Sequence, residues 1–368
     1  MNIKTSKYRR HIDAPYALVM AYQRGNFEKF SKLIDSGANI NCVDVLGYPL
    51  ISCVIDNFDK IKNNRKFFDK LLSAGVSLDG NEKVFNMLLS SIIRQNDIYY
   101  MEKILEMGGN VNGTYFFSDD GHITYYGPPI FEAMCKFDLS KIELLLKYNP
   151  HLELCNSDGQ PVLSALFEIS MNNNDFLKKC LAILIENQAP VDDFDNCGNR
   201  TINYWAKYSG DLEALKLLIK CNVDINVRDS YGYTPLMRCI KNNDIESSVV
   251  LIKNGANLNI KNFDGKTAVQ LAADLHKFDI LNFIESKYDI YRLDDSGKNI
   301  GHHILNSSLW NYDGRNIDDC AKFLKDHPDL FSSKNKDDAN IIKALKNNSV
   351  KRYLRDLNST SKENNFVK

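Results

Sequence analysis

Asp229–Ala273 reads DSYGYTPLMRCIKNNDIESSVVLIKNGANLNIKNFDGKTAVQLAA, and this stretch decides the fold. Gly232 of DSYGYTPL and Gly265 of NFDGKTAV stand 33 residues apart, a period that fits one small supersecondary unit repeated along the chain. Between the two glycines, TPLMRCI predicts a short helix, and IESSVVLIK predicts a second helix closed by the turn NGANLN. The chain must turn with positive φ at Gly232 and Gly265, and Gly255 is placed to end the second helix in the left-handed conformation. Pro235 lies in the first helical turn, where a missing N–H costs nothing, and Thr234 and Thr267 are placed to cap the short helices. Leu236, Ile240, Val250 and Leu251 exceed what one helix pair can bury, so the unit needs neighbours.

Four features keep their order: the turn glycine, Thr234-Pro235-Leu236, the pair Leu251-Ile252, and Gly255-Ala256-Asn257-Leu258-Asn259. That order resembles the ankyrin repeat. The resemblance implies an all-α solenoid of stacked helix-turn-helix units with β-hairpin tips, and a scaffold that holds other proteins. About nine such units can be traced over residues 14–305, several of them degenerate. They follow an N-terminal arm (1–13) and precede a C-terminal helical cap (306–357) and a disordered tail (358–368). No Gly/Ser/Pro-rich linker interrupts the period, so one right-handed stack is expected. The first unit lacks its leading turn and reads as a cap. Long links are expected near 57–65 and 170–176.

The fourth unit departs most from the pattern. Its turn is expanded to Gly113–Pro129, where bulky residues alternate on either side of Asp119-Asp120-Gly121, which predicts a β-hairpin with an Asp-Gly turn. Tyr115, Phe116, Phe117, Tyr125 and Tyr126 put aromatics on both faces of this hairpin, and an aromatic face open to solvent marks an interface.

Composition limits the function classes. Hydrophobic residues make up 44% and charged residues 25% of the 368-residue chain, as in a folded soluble protein. A net charge of −1 supplies no field for nucleic acid or membrane. The sequence has no apolar run of the roughly 20 residues a membrane span needs, and no signal-peptide core. A cytoplasmic monomer is expected. The nine cysteines are dispersed without a CxxC, which predicts reduced thiols packed as small apolar residues and no metal. No nucleophile, P-loop, zincin or dinucleotide signature is present, so the protein is expected to be no enzyme and to take no cofactor. His302 falls where ankyrin repeats carry the His of TPLH, which implies a bond to the turn backbone. Asp119, Asp120 and His122 read first as a turn. The basic run Lys343, Lys346, Lys351, Arg352 and Arg355 is interleaved with Asp and Asn, as on a solvated helical face.

The resemblance places partners on the concave side, at the tips and the exposed first-helix positions. The tip candidates are Asn196, Asn199, Tyr231, Tyr233, Phe263 and Lys266, and the first-helix candidates are Tyr208 and Lys241. Tyr231, Tyr233 and Phe263 either stand free as anchors or pack on adjacent tips. Trp205 takes a first-helix position where ankyrin repeats usually have Ala, and is expected in the core. Asn41, Asn226 and Asn259 each follow a leucine by eight residues, which resembles the context in which ankyrin asparagines are hydroxylated; bonding of the turn backbone is enough to explain them.

These readings converge on a non-enzymatic adaptor, inhibitor or targeting module. The Asn- and Lys-rich chain resembles ankyrin proteins of AT-rich microbes and viruses that act on host proteins, without the F-box-like C-terminus of many poxvirus members. The alternative is an enzyme or toxin with its activity in the hairpin or the C-terminal segment, where about 60 residues are few for a catalytic domain.

Overall fold

A computed structural model describes residues 16–45, 48–56, 64–77, 89, 92–93, 98–114, 116–119, 122–125, 127–306, 317–331, 338–346 and 349–355. The expected arm, the tail and the link at 57–63 lie outside these residues. The architecture is all-α, built from successive helix pairs with one two-stranded insertion. The chain divides into two compact units, Met1–Val162 with Glu186–Ala189, and Leu163–Ile185 with Pro190–Lys368.

In the first unit a helix over 16–23 pairs with Phe27–Asp35, and Leu50–Asp56 with Asn64–Ser73. Ile98–Glu106 follows, and then Pro129–Cys135 with Leu139–Leu146. The core here is aromatic. Phe67 meets Tyr22 and Phe30 edge to face at 5.3 and 4.9 Å, and Phe68 meets Tyr100 at 4.5 Å. The expected hairpin forms from strands Phe116–Asp119 and His122–Tyr125, with Phe116 opposite Tyr125 and Asp119 opposite His122. That register leaves two residues for the connection, as the Asp-Gly turn predicted; the turn itself, like Tyr115 and Tyr126, lies outside the described residues. Gly127 closes the hairpin with φ +78°, and a Cβ there would stand 2.9 Å from the Asn156 Cα, so only glycine fits.

The fifth pair is Val162–Ile169 with Asn174–Glu186. The long link expected near 170–176 is shorter: residues 170–173 connect the two helices, and 174–176 are already helical. Asn173 Oδ1 accepts the Phe176 N–H at 3.2 Å, and burial of Phe176 and Leu177 draws the segment into a second helix starting at Asn174.

In the second unit the pairs are Thr201–Ser209 with Leu212–Lys220, Pro235–Asn242 with Ile245–Lys253, and Ala268–Asp274 with Phe278–Glu285; Ile300–Leu305 follows. First helix packs on first helix and second on second, which makes a solenoid core. The predicted caps form: Thr234 Oγ1 accepts the Met237 N–H and Thr267 Oγ1 the Gln270 N–H, both at 3.3 Å. Asp211 and Asp244 cap the second helices in the same way, at 2.9 and 3.0 Å. Helix Ile317–Asp326 packs on Phe278–Glu285 through Phe323 and Phe278, with ring centroids 5.3 Å apart. It is followed by a 3-10 turn, Pro328–Leu330, and helix Ala339–Lys346. No helix among the described residues is long and apolar enough to cross a membrane.

The sixth pair differs in one respect. After Thr201–Tyr204 the backbone widens to a π-helical turn, Trp205–Ser209, and the indole of Trp205 lies fully buried. Its Nε1–H donates to the Asp211 carbonyl at 2.8 Å. The tip glycines Gly198 and Gly232 are 34 residues apart, against 33 for the next pair, so the wide turn holds one extra residue. The larger side chain and the wider turn occur at the same place.

All nine cysteines are free. Cys42, Cys180, Cys239 and Cys320 are buried, and burial raises their thiol pKa values, that of Cys180 to about 12. The expectation of apolar packing fails at Cys135 and Cys197, which are exposed; Cys197 sits on a tip, where no neighbouring helix covers it.

Candidate functional site

Six tips among the described residues are each built on one side chain. Asp44, Asn156, Asp195, Asp229, Asn262 and Asp294 each stand three residues before a glycine, and each Oδ1 accepts backbone N–H groups from across the turn. At Asp229 the donors are the N–H groups of Tyr231 and Tyr233, at 2.9 and 2.8 Å. At Asp195 they are those of Cys197 and Asn199, both at 2.8 Å. The tip is therefore held by local acceptor geometry, independent of what stands at its apex.

The other carboxylate oxygen reaches the first helix, nine residues on. Asp195 Oδ2 accepts from Tyr204 OH at 2.7 Å, Asp229 Oδ2 from Arg238 Nε at 2.7 Å, and Asp294 Oδ2 faces His303 Nε2 at 3.0 Å. His303 Nδ1 lies 3.2 Å from Asp274 Oδ1, and Lys266 Nζ pairs with Asp274 at 2.6 Å. A neutral imidazole has one N–H, so two carboxylates at its two nitrogens favour the imidazolium. The hydrogen bond with Asp274 raises the His303 pKa, burial opposes it, and Asp294 adds to the rise. Burial works against ionisation of Asp274 as well, but its bonds with His303 and Lys266 lower its pKa.

The expected site residues fall into three groups. Tyr231 and Phe263 are 63% and 68% exposed, and Phe194, which sequence reasoning missed, is 63% exposed. Asn196 and Lys241 are also exposed. Tyr233, Tyr208, Lys266 and Asn199 are half-buried. Of the two readings for the aromatics, both hold in part. The Phe263 ring leans on the neighbouring tip, where a Cβ on Gly232 would stand 2.7 Å from its Cγ, yet most of the ring still faces outward. Lys266 is engaged with Asp274 and Asn199 with Asp195 and the next tip, so these two serve the scaffold first. Phe116, Phe117 and Tyr125 belong to the hairpin strands. The signal for Phe194 was its place directly before the tip Asp195.

Cations accompany these rings. The Arg200 guanidinium lies 5.8 Å from the centroid of Phe194, Arg228 lies 5.7 Å from Phe263, and Arg238 lies 5.3 and 4.8 Å from Tyr231 and Tyr233. His302 behaves as the resemblance implied, with Nδ1 taking the Asn299 backbone N–H at 3.2 Å; Nε2 faces Asp338 at 2.8 Å.

The closing asparagines do more than bond their own turns. Asn41 Oδ1 accepts the Ser77 N–H at 3.0 Å, and Asn226 Oδ1 accepts the Asn257 N–H at 2.7 Å, in each case from the next closing turn. Asn112 and His151 are joined in the same way at 2.6 Å. The bond within the turn comes from the residue two earlier, as with Asn39 to the Asn41 N–H at 3.0 Å and Asp224 to the Asn226 N–H at 2.9 Å. At Asn259 the Oδ1 meets Tyr288 OH at 3.3 Å and Arg292 Nη1 at 3.4 Å instead.

These features define a helical repeat protein whose units resemble the ankyrin repeat. Residues 203–294 match the family model for ankyrin repeats, in three copies. An ankyrin repeat protein of Rickettsia bellii is 36% identical over 87 residues, 22% of this chain and 52% of that protein. A palmitoyltransferase of Debaryomyces hansenii is 32% identical over 103 residues, 28% of this chain and 12% of that protein. The chain thus spans about half the length of the first relative and a small part of the second. Among solved structures, a chain from the complex of a predatory endopeptidase of Bdellovibrio bacteriovorus with an immunity protein aligns at a TM-score of 0.44 and 21% identity, covering 54% of this chain and 97% of that one.

Proposed function

We propose that this protein is a non-enzymatic scaffold that holds a protein partner on the tips and first-helix face of its second unit, in the cytoplasm. Ankyrin repeats imply a protein-binding scaffold. The observation that carries the finer reading is where apolar surface remains. Among the described residues of the second unit, the exposed large apolar side chains are Phe194, Tyr231, Phe263 and Leu293 at the tips, Tyr291 in a closing turn, and Met171 elsewhere. Folding places apolar side chains inside wherever it can, and a row of them at successive tips fits an interface. The aromatic hairpin at 116–125 is a second contact in this reading, carried on the same kind of rigid support. A role on host proteins rests on the compositional likeness and on the Rickettsia relative.

The test is affinity capture with the full chain and with a Phe194→Ser/Tyr231→Ser/Phe263→Ser variant. The variant is expected to keep its melting transition and lose the captured proteins. Capture unchanged by all three substitutions would overturn the reading.

A further inference from the structure

The twelfth residue after each tip Asx forms a column on the first helices: Glu168, Lys207, Lys241 and Asp274 in successive units. Both ends of this column are engaged. Glu168 Oε1 accepts from Tyr208 OH at 3.2 Å, and Asp274 is bound to Lys266 and His303. The two lysines between them are exposed, and no carboxylate among the described residues lies within ion-pair distance of either. Instead they lie against tyrosine rings. Lys207 Nζ is 4.4 Å from the centroid of Tyr208 and donates to its hydroxyl at 2.6 Å, and Lys241 Nζ is 4.4 Å from the centroid of Tyr233. Lys207, Tyr231 and Arg238 share the lining of one small cleft, and Arg238 links Tyr231 to Tyr233. The result is a strip of rings and cations across the sixth and seventh units, with Lys207 and Lys241 at the centre of the column.

We propose that this strip docks an extended acidic segment of the partner, with two carboxylates about three residues apart answering Lys207 and Lys241. The spacing follows from geometry. Packed helices lie about 8–10 Å apart, so equivalent lysines on neighbouring first helices stand about that far apart at their roots. A peptide in the extended polyproline II conformation covers that span in three residues at about 3.1 Å each and, with three residues per turn, presents both carboxylates on one face. Charge sets the sign, since two ammonium groups with no carboxylate in ion-pair contact, flanked by carboxylates along the column, favour a short acidic stretch and reject a basic one. A nucleic acid strand fits less well. Base stacking needs open ring faces, whereas Arg238 and Lys241 occupy faces of Tyr231 and Tyr233, and Tyr204 stacks on Tyr208 at 5.9 Å.

The inference rests on the scaffold reading and sharpens it. It is tested by selecting a random dodecapeptide display library on the full chain, with Lys207→Glu/Lys241→Glu as the counter-screen. The expected outcome is enrichment of paired Asp or Glu three residues apart beside an apolar residue, lost on the double variant. A selected peptide should bind Lys207→Ala/Lys241→Ala about tenfold more weakly, a loss of roughly 1.4 kcal/mol, and bind the native chain less tightly as salt rises. Enrichment of neutral or basic sequences, equal recovery on both proteins, or no enrichment overturns the acidic partner. So does displacement of the peptide by oligo(dT) at equal concentration. Neutral peptides that still need Tyr231 and Phe263 would leave the scaffold reading standing while this inference falls.

Discussion

Replacing Trp205 by Ala, alone and together with deletion of Ser209, tests whether the indole and the π turn support each other. The indole is fully buried and its Nε1–H is bonded to the Asp211 carbonyl. Truncation removes about 3–5 kcal/mol of packing; the Asp211 carbonyl keeps the Leu215 N–H at 3.1 Å and is not left without a donor. With a urea m-value of roughly 2 kcal/mol/M, the midpoint of the second unit should fall by about 2 M. Deleting Ser209 restores a 33-residue spacing between Gly198 and Gly232. In the native background this forces the helix into α register against the indole and should destabilise. With Trp205→Ala the same deletion should cost less, by about 1 kcal/mol or more in a double-mutant cycle. The assay is urea unfolding followed by far-UV circular dichroism, with Trp205 emission read in a Trp310→Phe background. Additive effects of the two changes would refute the coupling. A red-shifted emission maximum typical of a solvated indole would refute the burial.

Three further outcomes follow from the same geometry. The raised His303 pKa gives stability that is fully present below the unfolded value of about 6.5 and is lost as pH rises through the folded value. The second unit should therefore weaken as pH climbs above about 6.5, and His303→Gln should flatten that slope in urea midpoints measured against pH; an unchanged slope would exclude His303 as its source. Asn226→Ala should cost about 0.5–1.5 kcal/mol by removing the acceptor for Asn257, whereas Asn226→Asp should stay near the native midpoint. Equal losses in the two would show that the bond is not the cause. Replacing residues 116–125 by a short Gly-containing link should keep the helical circular-dichroism signal and abolish capture of the partner; failure to fold would make the hairpin a structural plug.

Much of the fold was legible because it depends on local chemistry. The glycine period, the caps at Thr234 and Thr267, and the Asp-Gly connection each follow from one or two residues acting on their own backbone. What the sequence hid depends on pairs far apart in the chain. Asn41 and Asn226 read as turn residues, and their reach to the next closing turn appears only when two units are side by side. The beginning of the second helix of the fifth unit looked like a polar link because MNNND masks Phe176 and Leu177, whose burial requires a neighbour. At the candidate site, Tyr231 and Phe263 were legible as tip residues, but which tip side chains remain uncommitted was not. Lys241 and Lys266 look alike in sequence, and only the position of Asp274 separates a bound lysine from an available one.

The tip acid assigns its two oxygens different duties, and this bears on how such a protein can change over generations. One oxygen holds the backbone and meets the same donors whatever the side chains are. The other accommodates a tyrosine, an arginine or a histidine at the same position of three units. A mutation on the helix side can therefore alter the chemistry displayed beside the tip without disturbing the loop that displays it. The framework can stay fixed while its vocabulary drifts, and a new partner can be acquired one unit at a time.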